Sequence, residues 1–344
     1  MIRRFIKTAT ELELRAMKKL LHLGFGVLAL AIMVGTVSAQ QTEFCTDEAP
    51  AKVALYQKFL ANYKATGEEQ KLADEFASEY INRFGGCSDE SDEKVTRFIR
   101  KWRARYAMVL REFDCRTAAY QQQWAKAFEV CRVVIDENPE RAEWPLLLVR
   151  AGYENLREAR DTSLNAEAAK MARRALELIE AGKAPPNWEP FSSRDEVIGF
   201  LHYSQGVFLF ESAPADAATA FCKAAQSNST FNREATTYGY LASLYEMNEL
   251  MRLIREYQKN IAPPERIPPR SQYEEAIAGI NKTVDRVIDG YARALAILNS
   301  NPQADAKFKA AVRERLTSYY KHRHQDSEAG LAELVSGVLE KPLR

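Results

Sequence analysis

The sequence lacks the local motifs on which most catalytic and cofactor sites are built. No Gly-rich phosphate loop, His-Glu-x-x-His helix or Gly-x-Ser-x-Gly turn occurs, and the five cysteines form no Cys-x-x-Cys pair. Histidine is scarce, with four residues in a chain of 344. These absences predict a protein that is not an enzyme and that requires no cofactor or metal ion.

The histidines outside the amino-terminal segment give little support to a metal site. His202 falls within a helical packing pattern, where a core residue is a more common interpretation than a ligand. His322 and His324 are close enough in sequence to suggest weak metal binding, but Lys321 and Arg323 lie beside them and oppose a cation. We therefore expect no metal at either place.

Neither sign of charge is in clear excess. The chain has 48 Lys and Arg residues against 47 Asp and Glu residues, a formal net charge of +1. A nucleic-acid-binding surface requires a clustered basic excess. The charge balance therefore predicts no nucleic-acid partner.

A long apolar run occurs near the amino terminus. Lys18 and Lys19 precede an apolar stretch over 20–34, and small residues end it at Ala39, which together form the pattern of a secretory signal peptide. The run is short for a transmembrane helix, which needs about 20 apolar residues. We predict a leader and signal peptide over 1–39, with Met17 as an alternative start, and a periplasmic or secreted chain over 40–344 with no transmembrane span after cleavage.

Apolar residues elsewhere recur at intervals of three and four, and alternating strand patterns are nearly absent. Gly and Pro fall mainly between the periodic stretches. The fold class is therefore all-α. The predicted helices cover 51–63, 69–84, 92–111, 116–136, 143–158, 165–180, 195–210, 214–225, 233–247, 250–260, 273–300, 304–322 and 327–340.

Two patterns recur along these helices. The first has aromatic and small residues at Tyr238-Leu241-Ala242-Tyr245, in part at Trp144-Leu147, and in shifted form at Tyr203-Gly206-Leu209. The second has small or apolar residues at relative positions 0, 4 and 7, followed by Pro in three cases. It occurs at Ala127-Cys131-Val134, Ala168-Ala172-Ala175, Ala217-Phe221-Ala224, Gly290-Ala294-Ile297 and Gly330-Leu334-Gly337.

With these two patterns the chain resembles the tetratricopeptide repeat (TPR) superfamily from about residue 92 to its end. The resemblance implies antiparallel helix pairs stacked into a right-handed superhelix, an α-solenoid, over 40–344. The Pro-rich segment 262–270 and the long helix 273–300 interrupt the regular repeat length. An irregular α-helical bundle is the alternative, because small and aromatic residues at helical spacing also occur in ordinary helix packing.

The cysteines suggest one disulfide. Cys45 precedes the first predicted helix and Cys87 follows the second, so an antiparallel hairpin brings the two together. Cys115 and Cys131 would be about 24 Å apart on one helix, so we expect them not to pair with each other. Cys131 and Cys222 occupy packing positions and are expected to be buried free thiols, whereas a pairing of Cys115 with another cysteine stays open.

An array of helix pairs predicts a scaffold that binds a protein or peptide on its concave surface. The candidate contact residues are four tyrosines on or near first helices: Tyr203, Tyr238, Tyr245 and Tyr319. Motif positions usually pack within such an array, so the neighbours of these tyrosines are alternatives. A glycan or peptidoglycan is the alternative partner, for which Trp144 and Trp188 would be the platforms. An enzyme embedded in an α-superhelix is a third hypothesis, and the sequence singles out no acid for it.

Overall fold

A computed structural model describes residues 44–260 and 269–344 of the chain. The predicted signal peptide lies outside these residues, as does the Pro-rich segment except for Pro269 and Arg270. Within the described ranges the protein is all-α, and no strand occurs. No helix in these ranges combines the length and the apolar character that a bilayer crossing requires.

Thirteen α-helices make up the described part of the chain, and most of their bounds lie within a few residues of the predicted ones. They are α1 (Ala49–Asn62), α2 (Glu68–Phe84), α3 (Glu90–Tyr120), α4 (Trp124–Glu137), α5 (Glu143–Ala159), α6 (Asn165–Glu180), α7 (Arg194–Leu209), α8 (Pro214–Gln226), α9 (Ala235–Leu244), α10 (Met251–Asn260), α11 (Arg270–Ser300), α12 (Ala306–Arg323) and α13 (Leu331–Gly337). A π-helical segment, Tyr245–Leu250, joins α9 to α10.

The chain divides into two compact units at Leu110. In the amino-terminal unit, α1 and α2 pack together around a core that includes Phe59, Tyr80 and Phe84. The predicted disulfide in this unit is confirmed, because Cys45 and Cys87 are bonded with their Cα atoms 5.9 Å apart. This bond connects the residue that precedes the hairpin to the residue that follows it.

The carboxy-terminal unit, Arg111–Arg344, is built from helices that pack on their neighbours in sequence. Helices α4 to α9 contact one another in order, and α11 contacts α9, α12 and α13. The small residues of the second pattern lie at these contacts: Ala127, Ala168, Ala172, Ala217 and Ala224 are fully buried. Small side chains at these positions let neighbouring helices approach closely, as the pattern predicts.

The expectation for Cys115 and Cys131 is wrong. The two cysteines form a disulfide with their Cα atoms 4.9 Å apart, and Cys131 is therefore not a free thiol. The predicted single helix over 116–136 is interrupted between α3 and α4, where Gln122 has the left-handed φ of 59°. The chain reverses there, so the two cysteines face each other across a helical hairpin. Cys222 is free, as predicted, but half-buried.

Candidate functional site

The structure places three of the four candidate tyrosines in the core. Tyr203, Tyr238 and Tyr245 are 4–6 % exposed, and Tyr319 is half-buried. The hydroxyl of Tyr203 donates a hydrogen bond to Thr236 Oγ1 at 3.1 Å, and burial raises its pKa above the usual value. The four tyrosines do not form one surface. Their role as partner contacts stays a prediction.

Two adjoining cavities open on the carboxy-terminal unit, and together we call them the groove. The larger has a volume of about 590 Å³ and lies against α5, α7 and α9, with Tyr153, Leu156, Arg157, Tyr203, Val207, Phe210 and Tyr240 in its lining. The smaller has a volume of about 350 Å³ and lies against α9, α11 and α12, with Gly239, Tyr240, Ser243, Glu246, Met247, Tyr291, Phe308, Val312 and Arg315 in its lining. Thr236 and Tyr240 line both cavities.

Tyr240 and Met247 are the exposed apolar residues of the groove. Tyr240 is 39 % exposed and Met247 is 50 % exposed. The ring of Tyr240 stacks on Phe221 and meets Phe210 edge-on, with both centroid distances at 5.4 Å. These contacts hold the ring in place where the two cavities join, so it offers a rigid apolar surface to a partner.

A buried acid lies at the floor of the smaller cavity. Glu246 is 5 % exposed and belongs to the π-helical segment. Its Oε2 accepts a hydrogen bond from the Tyr291 hydroxyl at 2.8 Å, and its Oε1 accepts one from Arg315. Burial and the nearby charge of Glu246 raise the pKa of Tyr319 to about 12. The carboxylate is thus paired, and the site can hold a polar group of a ligand beside its apolar wall.

A π-helical turn accounts for the inward position of Glu246. An extra residue in one helical turn shifts the side chains that follow it around the helix axis, and such turns are frequent at functional sites. The sequence pattern predicts two separate helices here, one ending at Met247 and the next beginning at Leu250. The structure instead joins α9 and α10 through Tyr245–Leu250, which places Glu246 and Met247 on the groove.

The other residues singled out by the sequence lie outside the groove. Trp144 is fully buried, with Arg116 over its ring at 4.5 Å, so it offers no stacking platform to a sugar. Trp188 is partly buried against the core. His202 is buried in α7, where burial and the charge of Lys223 lower its pKa to about 4. Among the residues that the structure describes, no three His, Cys, Asp or Glu side chains are grouped to hold a metal.

Comparison with known proteins adds no support to the resemblance described above. No protein-family model matches the chain, and no curated protein is significantly similar to it. In the described residues the structure itself has an all-α fold, helices packed on their neighbours in sequence, and two disulfides. The resemblance to tetratricopeptide repeats therefore rests on the small and aromatic positions and on the burial of the small ones.

Proposed function

We propose that this protein is an exported, non-catalytic helical-repeat scaffold that binds a protein or peptide partner in the groove. Its helix pairs would stack as a TPR-like right-handed superhelix, with first helices α5, α7 and α9 on the concave side. The observation that carries the proposal is the groove itself: two adjoining cavities joined at an exposed, rigidly held Tyr240.

The lining of the groove suits an extended segment of a partner. Aromatic rings bury a large apolar area at a small cost in side-chain entropy, and such residues dominate the energetics of many interfaces. Apolar side chains of the partner would enter the two cavities beside Tyr240 and Met247. Arg157 and Arg315, with the hydroxyls of Thr236 and Ser243, would meet its polar groups.

Two disulfides support the export part of the proposal. Disulfides persist mainly in oxidising compartments outside the cytosol. Cys45–Cys87 and Cys115–Cys131 are both formed in the described part of the chain. They agree with the signal peptide predicted over 1–39, and we assign the protein to the periplasm or to the secreted fraction.

One matched pair of substitutions tests the groove. Met247 lines the smaller cavity and is 50 % exposed, whereas Met251, one turn further along, is 41 % exposed and lines neither cavity. Purified wild-type, Met247→Glu and Met251→Glu proteins are immobilised, and bound material from an envelope extract is identified by mass spectrometry and glycan analysis. We expect a protein captured by wild type and Met251→Glu, with capture reduced about tenfold or more in Met247→Glu, because a buried unpaired charge would oppose the apolar contact.

Two results would contradict the proposal. Equal capture by Met247→Glu and Met251→Glu would show that any bound protein contacts another surface. Recovery of a glycan without a protein would instead support the glycan-binding alternative. Far-ultraviolet circular dichroism and thermal unfolding of the three proteins check that the folds are equivalent.

A further inference from the structure

A third cavity in the carboxy-terminal unit shares no residue with the groove. It has a volume of about 730 Å³ and lies between α8, the segment Tyr245–Leu250 with α10, and α11. This volume falls in the range of pockets that bind small molecules, about 300–1,000 Å³. Three arginines line it, Arg252, Arg255 and Arg286. We call it the arginine pocket.

The arginine pocket has more cations than its own acids neutralise. Arg286 pairs with Glu249 at 2.7 Å, and Arg252 pairs with Glu256 on its own helix at 2.7 Å. The guanidinium of Arg255 forms no hydrogen bond or ion pair with any residue in the ranges that the structure describes. A guanidinium carries five N–H donors and no acceptor, so Arg255 can bind an anion without giving up a partner within the fold.

The remaining lining is apolar and neutral. Pro214, Ala218 and Leu244 form an apolar wall. Tyr245 lies beside them, and burial and its hydrogen bond with Cys222 raise the pKa of the phenol, so the ring stays neutral at physiological pH. The guanidinium of Arg286 lies 3.9 Å from the centroid of this ring, and this contact helps to fix the arginine in place.

We propose that the arginine pocket binds a small organic anion, a carboxylate or phosphate group carried on an apolar or aromatic body. The free donors of Arg255 and the fixed guanidinium of Arg286 receive the anionic group through charge-assisted hydrogen bonds. The apolar body packs against the wall formed by α8 and Leu244. This site is independent of the proposed partner groove, because the two are lined by different residues.

Cys222 is a natural reporter for occupancy of the pocket. It is the cysteine that the two disulfides leave free, and it lines the cavity with its Sγ 3.1 Å from the Tyr245 hydroxyl. A thiol-reactive maleimide therefore labels this one position in the unreduced protein. A bound anion that fills the pocket blocks access to the thiol and slows the labelling.

The experiment uses phenyl phosphate and phenylacetate as anionic probes, with benzyl alcohol and benzylamine as neutral and cationic counterparts. Calorimetry measures binding to the purified protein, and the rate of maleimide labelling reports whether the probe lies at Cys222. At ten times its Kd a probe fills about nine-tenths of the pockets, so labelling should slow about tenfold. We expect this protection from at least one anionic probe and from neither counterpart.

Two arginine variants locate the binding. Arg255→Gln removes the unpaired cation and should weaken binding of the protective anion about tenfold. Arg173→Gln, at an exposed arginine of α6 that forms no ion pair with a described residue and lies outside the three cavities, should bind like wild type. The proposal is overturned if neither anion binds, if binding leaves the labelling rate of Cys222 unchanged, or if the two variants bind equally well.

Discussion

At the scale of single residues, His202 is a buried polar side chain without a full set of partners. It is 7 % exposed, and its Nδ1 has no hydrogen-bond partner among residues 44–260 and 269–344. Burial, together with the positive charge of Lys223, lowers the pKa of the imidazole from 6.5 to about 4. The folded protein therefore holds a neutral imidazole through a pH range in which the unfolded chain takes up a proton.

This difference predicts a loss of stability in mild acid. Between about pH 6.5 and pH 4 the unfolded state binds more protons at His202 than the folded state does. The free energy of unfolding is therefore higher above pH 6.5, where His202 is neutral in both states, and it decreases as the pH falls through this range. From pH 7 to pH 5 the loss amounts to about 2 kcal/mol. Urea unfolding at the two pH values measures it, and His202→Leu should remove this component.

A matched histidine provides the control. His322 is exposed near the end of α12, so His322→Gln should keep the pH dependence of the wild type. If His202→Leu keeps it as well, the imidazole is not the group that titrates. The comparison uses the pH dependence of each variant and is therefore independent of any constant change in stability that the substitution causes.

At the scale of helical elements, neighbouring helices approach each other closely where a glycine lies at their contact. A Cβ atom added at Gly206 of α7 would lie 2.8 Å from two ring atoms of Phe221, a fully buried residue of α8. A Cβ atom added at Gly290 of α11 would lie 2.9 Å from the Cβ atom of Ala242 on α9. Both glycines belong to the patterns noted in the sequence, and both lie at helix contacts.

Gly206→Ala should therefore destabilise the protein. Overpacking a core contact costs about 1–3 kcal/mol, and the higher helix propensity of Ala offsets about 1 kcal/mol of this cost. The net loss in the free energy of unfolding should be about 1 kcal/mol, within a range of about 0–2 kcal/mol. Gly279→Ala on α11 is the control, because no atom of the described part of the chain lies within 4 Å of the added Cβ atom, and it should stabilise the protein by about 0.5–1 kcal/mol. Equal effects in urea unfolding would contradict this account of the contact.

The hairpin of α3 and α4 makes a prediction about the number of free thiols. With Cys45–Cys87 and Cys115–Cys131 formed, Cys222 is the one free cysteine. Alkylation of the unreduced protein in denaturant, followed by mass spectrometry, should add one label to the chain. Three labels would show that one of the disulfides is absent.

Replacing both Cys115 and Cys131 by Ala should cost about 3 kcal/mol of stability through the 16-residue loop that they close.

Helix interruptions were the structural elements that the sequence pattern missed. The segment between α3 and α4 contains Gln121, Gln122 and Gln123, with no Gly or Pro to mark a turn. Apolar residues continue at helical spacing on both sides, so the pattern predicts one helix. Because left-handed backbone is uncommon for residues other than Gly, Gln122 gives no signal of its conformation. The segment Tyr245–Leu250 shows the opposite difference: the sequence predicts a break between Met247 and Leu250, and the structure joins α9 and α10 there through a π-helix.

At the scale of the whole molecule, small residues predicted the fold better than aromatic residues predicted the site. Ala168, Ala172 and Ala217 are buried where helices meet, as their spacing requires. The same packing buries Tyr203 and Tyr238, because an aromatic residue at a regular helical interval fills the space that small residues leave open. The spacing of the small residues therefore predicts buried helix contacts directly, whereas it predicts the exposed residues only indirectly.

Apart from Tyr203, which is itself a pattern residue, the residues that line the groove lie outside the recurring patterns. Tyr240 lies two positions after Tyr238 and Met247 lies two after Tyr245, so each points to a different side of its helix from the motif residue. Glu246 was not singled out, because its burial depends on Tyr291 and Arg315, which are 45 and 69 residues away in sequence. Contacts between residues so distant in sequence have no local signature.

Crosslinking at Tyr240 examines whether a partner binds in the groove. A photoreactive phenylalanine analogue replaces Tyr240 in one protein and Tyr120 in another; Tyr120 is 73 % exposed and lines neither cavity of the groove. Both proteins are irradiated in the envelope of the producing cells. A protein adduct at position 240, with little or none at position 120, is the result that we predict. No adduct at position 240, or equal adducts at both positions, would contradict the groove as the binding site.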